Sequence, residues 1–366
     1  MRKSHEGIQE SMPPKLIKSA GLLIALILFS SPIASAQAPR PPAQPDSGPG
    51  GKQYSHAKVI KNRYGSGGQE YWIFEPDAPK PRSAPLVVFM HGWGGMNPLY
   101  YGAWLDHLVK RGNIVIYPRY QAGLLTPVRD FSPNTILAIR DAIARLQNEP
   151  GHVRADVNRF AVVGHSMGGL LAANVAALAS ESGLPPARAV MTVQPGISDP
   201  PVSFPLADLK KIPPDTLMLA LAGDQDTLVA DRDAKRIYLE STRVSAADKD
   251  FIMLITDEHG TPPLRGGHRA PTAPDESYDN GEGTRGFPSR SAGSASQENS
   301  SRRGETPTIN AMDFFGTWKL FDGLCDAAFY GKNREYALGN TPQQRFMGKW
   351  SDGVPVKELK VTDPGN

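Results

Sequence analysis

The run Gly164-His165-Ser166-Met167-Gly168 constrains this chain more than any other stretch, because an apolar segment enters it and an Ala/Leu-rich segment with no breaker leaves it. Arg159-Phe160-Ala161-Val162-Val163 reads as a short buried strand and 170–180 as a helix. Ser166 then stands at a strand-to-helix turn. A turn that sharp drives its central residue toward strained backbone angles and leaves no room for side chains on either side, so Gly164 and Gly168 are required if Ser166 is to project.

The rest of the chain repeats the same alternation. Leu86-Val87-Val88-Phe89-Met90 is a continuous apolar run of the kind a central parallel strand shows, and it delivers His91-Gly92-Trp93-Gly94-Gly95 at its carboxyl end. In open α/β sheets that end is where ligands bind. Further strands are expected near 113–117, 189–193, 216–221 and 251–255, with helices over 101–110, 133–147 and 231–242 between them. Two outer strands, 56–62 and 70–74, flank the turn Gly65-Ser66-Gly67-Gly68. The Pro-rich stretch 195–214 reads as a wall of a site or as a surface loop. The pattern predicts an α/β fold with a mainly parallel sheet and helices on both faces.

The ends of the chain, and one stretch inside it, differ from this body. Arg2, Lys3, Lys15 and Lys18 precede the apolar run 21–29 and then Ala34-Ser35-Ala36, which predicts a signal peptide over 1–36, cleaved after Ala36, and a secreted or periplasmic protein. Met12 is an alternative start. The apolar run is about half a membrane span, so no stable membrane span is expected after cleavage. Residues 37–53, rich in Pro and Gly, predict a disordered tether, and 271–310, poor in large apolar residues, a disordered insert within the domain 54–366. Residues 312–330 carry Phe314, Phe315, Trp318, Leu320, Phe321 and Leu324 and predict a last helix docked on the sheet. The final segment, with Phe346, Met347 and Trp350, is expected to pack as an extra turn or arm.

Composition narrows the chemistry. The net charge of +3, from 40 Lys and Arg against 37 Asp and Glu, supplies no basic field for nucleic acid. Cys325 is the single cysteine, so no intrachain disulfide forms, and within a helix it reads as a small buried hydrophobe. No metal-ligand spacing and no Gly-rich phosphate loop with its Lys and Ser/Thr occurs, so no cofactor or metal is implied.

A serine hydroxyl is a poor nucleophile at neutral pH and needs a histidine to take its proton and a carboxylate to orient that histidine. The strand ending near Leu221 runs into Gly223-Asp224-Gln225-Asp226. Asp224 is placed to shape the turn, and Asp226, one step further into the loop, is the preferred acid. Two histidines follow the last core strand. His259, in Asp257-Glu258-His259-Gly260, has the more usual distance from the strand end. His268, in Gly266-Gly267-His268-Arg269-Ala270-Pro271, lies in a Gly-flanked loop free to reach back. The residues alone leave both open, with His268 preferred. His165 is expected to turn away from the site and His91 to shape the loop that follows it. A backbone N–H donor for an oxyanion is expected from Trp93.

Gly164-His165-Ser166-Met167-Gly168-Gly169, with His91-Gly92-Trp93-Gly94-Gly95 before it and Gly223-Asp224-Gln225-Asp226 and a late histidine after it, resembles the α/β-hydrolase superfamily. The resemblance runs over about 54–330 and implies a Ser166, Asp226, His268 triad and oxyanion donors at Trp93 and Met167. His-Ser-Met-Gly-Gly together with His-x-Ala-Pro is also similar to secreted lipase, cutinase and polyester-hydrolase relatives. Cleavage of a small or lipid-like carboxylic ester through an acyl-enzyme is the implied activity. An acyltransferase on the same fold and a non-catalytic envelope-binding protein are the rival readings.

Overall fold

A computed structural model describes residues 38–197, 203–282 and 308–365. The expected signal peptide lies outside the described residues, as does most of the expected insert.

Among these residues one sheet of nine strands runs in the order β1-β2-β4-β3-β5-β6-β7-β8-β9. The central strands are parallel: β3 (Ser83–Met90), β4 (Ile114–Pro118), β5 (Arg154–His165), β6 (Ala189–Val193), β7 (Leu217–Gly223) and β8 (Lys249–Leu254). On one side β1 (Lys58–Tyr64) and β2 (Tyr71–Asp77) add antiparallel. On the other side β9 (Lys360–Thr362) pairs antiparallel with β8. This last strand comes from the segment expected to pack as a turn or arm. Three residues without an apolar run carry no strand signal of their own, and the open edge of β8 supplies it.

The core follows from the two-residue period of a strand. Along β3, Leu86, Val88 and Met90 face one layer, which holds α2 (Phe131–Asn148) and α3 (Met167–Leu178). Val87 and Phe89 face the other, with α1 (Gly102–Lys110) and α5 (Lys319–Tyr330). A fifth helix, α4 (Arg232–Glu240), covers a smaller cluster against β7 and β8. Helix α3 is buried almost all round, because the sheet covers one side and α2 the other. Helix α5 continues a wide π-helical stretch, Met312–Trp318, whose start matches the expected aromatic helix. Cys325 is buried in α5, as the sequence predicts.

Two expectations from composition fail. Residues 38–53 are not a loose tether: Gly50 N–H donates to the buried Asp322 carboxylate (2.7 Å), Thr261 N–H to Pro39 O (2.8 Å) and Ser351 N–H to Arg40 O (3.0 Å). Backbone hydrogen bonds to three distant parts of the body stand in for the apolar surface this stretch lacks. Residues 271–282 are likewise pinned. Ala103 N–H donates to Ala273 O and Ala273 N–H to Tyr100 O, Tyr278 is buried, and Glu282 pairs with Arg119 (2.6 Å).

Candidate active site

The carboxyl ends of β3, β5, β7 and β8 bring the site together. Strand β5 runs into Ser166, which caps the start of α3 at φ 57° and ψ −123°. For a non-glycine residue this conformation costs about 1–3 kcal/mol and persists only where the surroundings enforce it. They do: a methyl group at Gly164 would meet the Gly168 carbonyl, and one at Gly168 would meet the Met90 and His91 carbonyls at the end of β3. The turn is possible because both positions lack a side chain.

His268 stands between Ser166 and Asp226. Its Nε2 lies 3.0 Å from Ser166 Oγ and its Nδ1 2.7 Å from Asp226 Oδ2. The other Asp226 oxygen accepts from the N–H groups of Leu228 (3.0 Å) and Val229 (3.2 Å), so the carboxylate is fixed at both ends. Its side chain is completely covered, whereas the His268 ring keeps an edge toward solvent.

The two alternative candidates lie against other partners. Asp224 accepts from Thr256 N–H (2.9 Å) and Thr256 Oγ–H (2.6 Å), joining the β7 turn to the end of β8. His259 is not brought to the serine. Its Nε2 pairs with Asp352 (2.7 Å) on the C-terminal arm. The reason is the short bridge between Asp257 and Leu264, which closes the loop carrying His259 outward and returns the chain toward the sheet before His268.

The loop after β3 is held from several sides. His91 is fully buried, its ring nitrogens 2.6 Å from Gly92 O and 2.8 Å from Arg119 O, and burial pushes its pKa down to about 4 although both carbonyls favour the charged ring. Gly92 N–H donates to Tyr101 Oη (3.0 Å) and Gly94 N–H to Gln121 Oε1 (2.9 Å), so the donors on either side of Trp93 are engaged. Met167 opens α3, where the first-turn N–H groups have no intrahelical acceptor. Trp93, Ser166 and Met167 border an apolar cavity of about 290 Å³ with Ile197, Leu228 and Val229.

His165 departs from expectation. It does not turn away from the site: its ring lies 4.9 Å from the His268 ring, centre to centre, and its Nε2 is 2.8 Å from the His268 carbonyl. Two further residues went unread in the sequence. Gln194 Nε2–H donates to Gly267 O (2.9 Å) beside His268, and Tyr101 sits under the loop after β3. Neither belongs to a recurring short motif, and only their positions at strand and helix ends pointed to the site. Among the described residues no group of three or more His, Cys, Asp or Glu could hold a metal ion, and no helix is long and apolar enough to cross a membrane.

A parallel sheet covered by helices on both faces, with a strained serine turn at its centre, defines an α/β protein of the hydrolase architecture. The chain matches the Alpha/beta hydrolase family over residues 87–280, more than half its length, and belongs to that family. Over 122 residues it is 34% identical to Esterase LipI of Mycobacterium tuberculosis (strain ATCC 25618 / H37Rv). That match covers 32% of this chain and spans 35% of the relative's length.

Proposed function

We propose that the protein hydrolyses carboxylic esters through an acyl-enzyme. The observation that carries this reading is the unbroken line from Ser166 Oγ through the His268 imidazole to the Asp226 carboxylate, at 3.0 and 2.7 Å. Ser166 Oγ attacks the ester carbonyl carbon while His268 Nε2 takes its proton, and the carbonyl oxygen becomes the oxyanion held by the N–H groups of Trp93 and Met167. Collapse breaks the bond to the alkoxide, which leaves with the proton from His268. Water, deprotonated by the same nitrogen, then attacks the acyl-enzyme, and the acid departs as Ser166 regains its proton. Asp226 orients the ring and stabilises the imidazolium.

The cavity beside Ser166 supports an apolar acyl group of modest size. Its volume is at the small end for ligand sites, and Met167, Ile197, Leu228 and Val229 supply apolar walls. Leu228 is 67% exposed, so one wall is open and the leaving alcohol can extend into solvent. Esterase LipI is named for the same activity. The test is turnover of a short-chain chromogenic ester by the protein and by Ser166→Ala. Activity confined to the former is expected, and equal turnover would sink the reading.

A further inference from the structure

A second line of hydrogen bonds runs beside the first. Gly92 N–H donates to Tyr101 Oη (3.0 Å), Tyr101 Oη is 2.8 Å from His165 Nδ1, and His165 Nε2 is 2.8 Å from the His268 carbonyl oxygen. Both side chains are buried. The direction of each bond follows from its ends. A carbonyl oxygen only accepts, so Nε2 carries the ring proton. Burial, and the His268 ring beside it, hold the His165 pKa well below the usual imidazole range, so the ring is neutral and Nδ1 accepts. Tyr101 then gives its O–H to His165 and accepts from Gly92, and burial raises its pKa so that it keeps that proton.

We propose that Tyr101 and His165 are positioning residues that tie the oxyanion loop to the loop carrying the base. The inference rests on the ester-hydrolase reading above. One end of the line is the N–H next to Trp93, and the other is the carbonyl of the residue whose ring takes the serine proton. Neither 91–97 nor 265–275 has regular secondary structure of its own. Each is tied to the sheet separately, Gly95 O by Tyr117 O–H (2.5 Å) and Gly267 O by Gln194. The line through Tyr101 and His165 fixes one loop relative to the other. Its function is alignment at the moment when the oxyanion and the imidazolium form together, where small misplacements are expensive. The apolar cavity walls at Ile197, Leu228 and Val229 take no part in it.

The experiment compares Tyr101→Phe, His165→Leu and His165→Gln in the full chain, with the unaltered protein and Ser166→Ala as references. Steady-state hydrolysis of a short-chain chromogenic ester is read together with inhibition by an alkyl boronic acid, which adds to a serine as a tetrahedral oxyanion mimic. Tyr101→Phe and His165→Leu are expected to lower kcat about 10- to 100-fold and weaken the boronic acid by a similar factor, with KM changed less than about two-fold. His165→Gln, whose amide N–H can reach the His268 carbonyl, is expected to recover most of the loss. Packing alone would move thermal stability without separating kcat from KM and without favouring Gln over Leu. Unchanged kcat and boronic acid affinity in folded Tyr101→Phe would overturn the inference, as would a Gln variant no better than Leu. Should His165→Leu not fold, Tyr101→Phe, which loses one oxygen, decides alone. A parent protein no more active than Ser166→Ala would instead overturn the hydrolase reading and this inference with it.

Discussion

The serine turn and the loop that carries His268 sit 3.0 Å apart at their side chains, yet they are built by different means. The turn is specified largely by its own five residues, packed against the end of β3. Two of its five consecutive residues are glycines: a methyl group at Gly164 would strike the Gly168 carbonyl inside the turn, and one at Gly168 the Met90 and His91 carbonyls of the adjacent strand end, where Ser166 sits at φ 57°. The His268 loop is specified at a distance. His268 is held by Asp226, by the contact of its carbonyl with His165, and through Gly267 by Gln194, residues 42 to 103 positions away in sequence. A motif reader finds the first kind of site and has little purchase on the second. The difference also predicts which perturbations are absorbed: a locally enforced turn fails sterically, and a loop held by several partners fails chemically, one bond at a time.

Substitutions at the two late histidines sharpen that comparison most. His268→Ala is expected to reduce kcat/KM about 10⁴-fold or more on a short-chain ester, and His259→Ala less than about three-fold, in steady-state assays. Comparable losses in the two would break the assignment of the base. Next comes the acid: Asp226→Asn is expected to lower kcat about 10³- to 10⁴-fold by presenting the wrong partner to His268 Nδ1–H. Asp224→Asn, which loosens the clamp on Thr256, should lower it only about ten-fold or less.

The turn is tested through stability. Gly168→Ala places a methyl group against the Met90 and His91 carbonyls, which can move only with the end of β3, and about 3 kcal/mol of destabilisation is expected in denaturant titration. Gly183→Ala offers a comparison: its methyl would meet open space and only the left-handed backbone opposes it, so the loss should be about 1 kcal/mol. Equal effects would mean that the turn is not sterically enforced.

Acid is the mildest probe. His91 has its pKa at about 4 in the folded protein against 6.5 when unperturbed, so between these values the unfolded chain binds more protons. Stability therefore rises with pH through this window and falls as pH drops from 6.5 toward 4. The full window corresponds to about 3 kcal/mol for this one group. His165 acts in the same direction. Denaturant titrations at pH 7 and 4.5 should show the drop, and His91→Gln should show less of it. A flat profile would mean that the ring is charged in the folded state.

Much of the architecture was legible because its cues are local. Val87 to Met90 alternate between the two core layers, and the matching apolar runs at β4 to β8 produced the parallel sheet. Ser166, Asp226 and His268 were read from strand ends and loop chemistry, and the structure brings these three side chains together. What escaped was whatever depends on a partner elsewhere in the chain. The Pro/Gly-rich 38–53 stretch is ordered by acceptors such as Asp322 and Thr261, and β9 by an unpaired strand edge. The inward turn of His165 depends on the His268 carbonyl 103 residues later. Composition describes what a segment can bury, and it is blind to what a distant backbone offers it.

The central claim is that Ser166 is a nucleophile activated by His268. The most direct measurement is covalent labelling by a fluorophosphonate, followed by mass spectrometry of the full-length protein and its peptides. A single adduct on Ser166 is predicted, absent in Ser166→Ala and formed about 10³-fold or more slowly in His268→Ala. No adduct on Ser166, or labelling at the same rate without His268, would contradict it.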